Sequence, residues 1–164
     1  MSARFLAVIF VMLSYSLQAQ TAFPPVPLKT LDGHAVSAAD LCKTGKITVV
    51  SFWATWCSPC KKELDAINEV YEDWQKEYDM ELVAITIDDA RAVTKVRPMV
   101  ESKGWKFRVL SDVNSDLKRA LNFPSVPQTF LVNKEGKIVY THSGYIPGDE
   151  EALEEHIREA AGKK

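Results

Sequence analysis

Residues 47–63 read Ile47-Thr48-Val49-Val50-Ser51-Phe52-Trp53-Ala54-Thr55-Trp56-Cys57-Ser58-Pro59-Cys60-Lys61-Lys62-Glu63. The first seven are mostly β-branched and aromatic, the composition of a central strand buried on both faces. After Pro59 the period changes. Leu64, Ile67, Tyr71, Trp74 and Tyr78 recur at steps of three and four, one face of a helix. The cysteine pair therefore falls where a buried strand passes into an amphipathic helix. Backbone N–H groups at a helix start lack partners and carry partial positive charge, so they favour a thiolate over a thiol. Cys57, at the extreme N-terminus, reads as an exposed nucleophile, and Cys60, one turn later, as a sheltered resolving thiol. Pro59 suits a first turn, where its missing N–H costs nothing.

Three plainer readings compete. A zinc site needs two further ligands, and the chain offers only Cys42, His34, His142 and His156, with no second paired motif. A purely structural disulfide needs no helix start, and a three-residue separation is strained and easily reduced compared with a long loop. An inert buried pair conflicts with the flanking turn. Strand, CxxC and helix together point to redox chemistry; the CxxC alone would be weak.

Outward from this segment, Leu28–Leu31, Asp32-Gly33 and Val36 predict a short hairpin. Glu81–Ile87 predicts a second core strand. Residues 90–103 look helical, with Pro98 expected to kink or delay the helix. Trp105–Leu110 predicts a third strand, Asp116–Leu121 a short helix, Thr129–Val132 and Lys137–Thr141 a hairpin, and Glu150–Ala161 a closing helix. This alternation implies one α/β domain with a mixed sheet covered on both faces.

The chain has 164 residues, 46% hydrophobic and 26% charged, with a formal net charge of −2. Those fractions exclude disorder and a multi-span membrane protein, and neither the net charge nor any Lys/Arg-rich run suggests nucleic acid. Three cysteines are too few for a disulfide scaffold. Residues 1–19 hold Arg4, an apolar run from Phe5 to Leu13, and small or polar residues to Ala19. That run is too short to span a bilayer, which takes about 20 residues. It has the order of a signal peptide, with cleavage expected after Ala19; an uncleaved anchoring helix is the alternative. The domain proper is then 20–164, in a compartment where thiols can be oxidised.

The segment Phe52–Glu63 resembles the active site of thioredoxin-like proteins, most closely exported TlpA/ResA-type thiol–disulfide oxidoreductases. The likeness runs from about Pro25 to the final helix. It implies a thioredoxin fold with an N-terminal β-hairpin and a strand–helix insertion after Ile87. It also implies that Cys57 and Cys60 are a redox pair whose dithiol reduces disulfides of client proteins and is itself left as the Cys57–Cys60 disulfide, in cytochrome c maturation among other settings. A membrane-embedded electron donor, a periplasmic location and no cofactor or metal follow from the same likeness. No dimerisation domain is evident, so a monomer is expected.

Glu63 lies about 60° from Cys60 on the helix, bordering the apolar stripe. Geometry leaves a proton-shuttling carboxyl and an ordinary first-turn glutamate equally open; the resemblance implies the shuttle. Thioredoxin's buried acid precedes its first cysteine by six residues. Ser51 stands there and cannot do acid–base work, which leaves Glu63 as the candidate. X–Pro bonds are cis in only about 5–6% of cases, but the resemblance implies a cis Pro127 beside the disulfide, with Val126 pairing to a substrate strand. Trp56 is expected to cover the nucleophile or touch substrate. Trp53, Trp74 and Trp105 are expected in the core, and Cys42 is expected as a lone buried thiol. Two rivals remain. A peroxiredoxin-like thiol peroxidase fits Thr55 but wants a proline where Trp53 and Ala54 stand. A non-catalytic binding or chaperone module would use the groove beside Pro127 without turnover.

Overall fold

A computed structural model describes residues 22–163; the expected leader, 1–19, lies outside the described residues. Seven strands form one sheet: β1 (Pro27–Thr30), β2 (Ala35–Ser37), β3 (Ile47–Trp53), β4 (Met80–Thr86), β5 (Arg108–Ser111), β6 (Gln128–Val132) and β7 (Ile138–Ser143). Their order is β2-β1-β5-β4-β3-β6-β7. The β3–β4 and β4–β5 pairs are parallel, and β3–β6, β6–β7, β1–β5 and β1–β2 are antiparallel. Every residue of β3 is buried, as expected of the central strand.

Four helices cover the sheet: α1 (Ser58–Tyr78), α2 (Val96–Lys103), α3 (Asp116–Ala120) and α4 (Asp149–Ala160). One face packs Val49, Trp53, Leu82, Ala84 and Leu131 against Leu64, Ile67, Tyr71 and Trp74 of α1, Val96 of α2, and Leu153 and Ile157 of α4. The other face packs Val50, Phe52, Val83, Ile85 and Phe130 under Leu41, Leu117 and Phe123. This is the thioredoxin-like architecture, with α2, β5 and α3 filling the interval between β4 and β6.

Two boundaries differ from expectation. A 3-10 turn occupies Val93–Lys95 and α2 begins only at Val96, so Pro98 delays the helix rather than kinking it. It sits in the first turn, where an N–H has no helical partner. The third inner strand starts at Arg108, because Trp105 is committed elsewhere. Its indole N–H donates to Asp65 of α1 (2.9 Å), and its ring meets Trp53 edge-on (centroids 4.9 Å).

Candidate active site

The N-cap of α1 is Cys57, in extended backbone (φ −85°, ψ 104°), and its Sγ accepts the Cys60 N–H at 3.3 Å. A helix-start N–H thus lies directly on sulfur, where it stabilises negative charge. Cys57 and Cys60 are disulfide-bonded, with Cα atoms 5.4 Å apart. Pro59 is in the first turn.

The turn leading into the pair is clamped. Asp88, buried at the end of β4, accepts from Thr55 N and from Thr55 Oγ1, each at 2.8 Å. Lys61 Nζ donates to Thr55 O at 3.0 Å, which commits this lysine to the turn rather than to the sulfur. Cys57 N donates to Ala54 O at 3.0 Å. Asp88 escaped sequence reading, since its partner lies 33 residues away and only the parallel β3–β4 pairing joins them.

The expectation of an exposed nucleophile needs correction. Cys57 is 4% exposed and Cys60 fully buried, so the order of access holds but the nucleophile offers only a sliver of surface. The reason is the disulfide itself, which holds the Cys57 sulfur against Cys60 at the helix start. Trp56, by contrast, is 67% exposed. Cys42 ends a 3-10 turn (Ala38–Cys42) and is half-buried rather than buried; burial raises its thiol pKa, which makes it a poor nucleophile.

Glu63 lies deeper than its helical angle suggested. It is 4% exposed, enclosed between α1 and the sheet. Its Oε1 accepts from Thr129 Oγ1 at 2.7 Å and its Oε2 from Ser51 Oγ at 3.2 Å. Burial pushes its pKa up to about 7, and the two hydroxyl bonds only partly oppose this. Ser51, noted in the sequence for lacking an acid, is instead a donor to the acid next door. The sequence marks Thr129 only as a strand residue. The available signal was a hydroxyl residue inside each of two apolar strands that turn out to be neighbours, Ser51 pairing with Thr129.

The register Phe52↔Gln128 sets the loop before Cys57 beside the start of β6. There the Val126–Pro127 peptide is cis. Pro127 O accepts from Gly144 N at 2.9 Å. Among the described residues, the main chain of Val126 makes no hydrogen bond, and its side chain packs on the core.

A cysteine pair capping the first long helix of this sheet, beside a cis-proline loop and with a buried carboxyl one turn on, defines the thioredoxin-like thiol–disulfide oxidoreductase class. More particularly, the chain belongs to the AhpC/TSA family, whose model matches residues 19–141. It is 30% identical over 135 residues to the thiol-disulfide oxidoreductase ResA of Bacillus thuringiensis subsp. konkukian, covering 82% of this chain and 74% of that relative. A thioredoxin-like protein of Porphyromonas gingivalis superposes with a TM-score of 0.77 at 44% identity, over 85% of this chain and 92% of its own. A candidate thiol:disulfide interchange protein DsbE from Chlorobium tepidum superposes with a TM-score of 0.75 at 28% identity, over 86% and 96%.

Proposed function

We propose that this protein, after removal of residues 1–19, works as a single domain (20–164) in the periplasm and reduces disulfides of exported client proteins. Apocytochrome c is among the clients this reading includes. The Cys57 thiolate attacks a client disulfide; one client sulfur leaves as thiolate and a Cys57–client bond forms. Cys60 gives its proton to Glu63 and attacks the Cys57 sulfur. The Cys57–Cys60 bond forms, the Cys57–client bond breaks, and the second client thiolate departs. The client gains two electrons and the dithiol loses them, to be restored by a membrane-embedded donor. The protein acts as a monomer without cofactor or metal.

The observation that carries this reading is the Cys57 sulfur capping α1 with Glu63 buried one turn further along. The unpaired main chain of Val126 supports docking of an extended client strand by β-addition. Trp56, largely exposed next to the nucleophile, supplies an apolar contact. The test is an insulin-disulfide reduction assay. Cys57→Ser abolishes turnover and Cys60→Ser accumulates mixed disulfides with clients; a fully active Cys57→Ser sinks the proposal. Rapid peroxide consumption would favour the peroxidase alternative. Undiminished client protection by a Cys57/Cys60 double variant would favour a binding module.

A further inference from the structure

Glu63 presents a difficulty that its own hydrogen bonds do not solve. A base 4% exposed can accept the Cys60 proton once, but turnover requires that proton to leave. The sheet offers a route. Ser51 of β3 pairs with Thr129 of β6, and Thr129 pairs with His142 of β7. Directly opposed residues of antiparallel strands project on the same face, with Cβ atoms about 4.5–5.5 Å apart. Ser51, Thr129 and His142 therefore form one polar row across the face otherwise packed with Val49, Trp53, Leu131 and α1. Glu63 reaches down onto the middle of this row through its bond to Thr129.

The row ends at solvent. The His142 side chain is 35% exposed, and its Nε2 lies 3.1 Å from Asp149 Oδ2 at the start of α4. A carboxylate can only accept there, so Nε2 carries the proton and Nδ1 is left as the basic nitrogen. Asp149 is itself held, accepting Ile146 N at 2.8 Å. Between Glu63 and His142 lies a cavity of about 10 Å³, the room one water needs, and Thr129 lines it as well. The ionisable groups that face His142 across this space are Glu63 from α1, Tyr140 of β7, Tyr145 of the following loop, and Asp149 and Glu150 of α4. On the row of Ser51, Thr129 and His142, only the imidazole carries a basic nitrogen, and it stands at the solvent end.

We propose that His142, oriented by Asp149, is the exit for the proton that Glu63 takes from Cys60. Protonated Glu63 donates to Thr129 Oγ1. The Thr129 hydroxyl proton passes to His142 Nδ1, directly or through one water in the cavity, and the imidazolium yields it to solvent. His142 is thus a positioning residue that acts through Glu63 and touches neither sulfur nor client. The inference rests on the proposed role of Glu63 in the resolving step.

The experiment separates the two thiol steps. Reduced protein is mixed with excess dithiobisnitrobenzoate in dilute buffer at neutral pH. The first thionitrobenzoate released reports Cys57 attack, and the second reports Cys60 closing the disulfide. His142→Gln, which keeps a hydrogen bond to Asp149 but cannot titrate, slows the second release relative to the first. The expected loss is on the order of ten-fold, short of the roughly 10²–10⁴ that general acid–base catalysis supplies. Added imidazole restores it, which a merely structural defect would not permit. An unchanged ratio of the two rates, or a slow second release that ignores imidazole, overturns the proposal. In Glu63→Gln the second release is slow whatever imidazole is present. A normal second release in that variant removes the base on which the inference rests, and a wild-type protein releasing no thionitrobenzoate removes the oxidoreductase reading itself.

Discussion

Keeping Glu63 buried carries a charge cost that grows with pH. Its carboxyl titrates near 7 in the folded chain against a usual 4.5. The native state therefore binds this proton more tightly than the unfolded state. Stability from this group is fully present below about pH 4.5 and is lost as pH rises through about 7. Glu63→Gln keeps partners for Ser51 and Thr129 but removes the buried charge. We expect the oxidised variant to be more stable than wild type at pH 8 by on the order of 3 kcal/mol, with no difference near pH 4. Urea unfolding of both proteins across that range checks this; a gap that stays constant with pH refutes the buried-charge account. If Glu63 takes the Cys60 proton as proposed, wild type should show a resolving rate that rises as pH passes about 7 and the variant should not, so the variant would trade activity for stability. That trade is expected of a group held for chemistry rather than for folding.

At the scale of elements, the connections decide where side chains of the site arrive. The β6–β7 hairpin sets Thr129 opposite His142, and its turn is seated on the Cys42 segment: a Cβ on Gly136 would stand 2.5 Å from Cys42 O. Gly136 also holds φ +78°, a conformation that costs other residues about 1–2 kcal/mol. Gly33 turns the β1–β2 hairpin at φ +86° with open space around its Cα. Gly136→Ala is therefore expected to cost more than Gly33→Ala. The latter should lose about 1 kcal/mol and the former about 2 kcal/mol or more, since backbone must shift. Thermal or denaturant midpoints of the two variants check the order. These elements were largely legible in advance: β3, α1 and the β6–β7 hairpin follow from strand composition and helical period. The start of β5 was not, because Trp105 serves Asp65 and Trp53, both distant in sequence.

The whole molecule gathers its working parts at one end of the sheet. Strand directions bring together the end of β3 with Trp56 and Cys57, the start of β6 with Val126 and Pro127, and the end of β7 with the loop to α4. Two large apolar side chains are left exposed on these loops, Trp56 at 67% and Ile146 at 69%. They flank the cis-proline segment in the topology and, on the proposed reading, would supply apolar area to a docking polypeptide. Replacing both by alanine is expected to lower kcat/KM for insulin by on the order of ten-fold, about 1.4 kcal/mol, with a smaller loss for a small-molecule disulfide. Equal losses on both substrates would assign the two side chains to something other than protein recognition.

By itself the sequence determined the alternation of elements, the redox pair and the helix start that activates it, because these depend on local period, local composition and backbone ends. Only the tertiary structure decided how deep Glu63 lies, which hydroxyls hold it, that Asp88 clamps Thr55, and that His142 shares a cavity with Glu63. Those facts depend on strand register and helix packing, which bring together residues up to 90 positions from Glu63. Burial of a charge, unlike a helical period, is a property of everything that surrounds it.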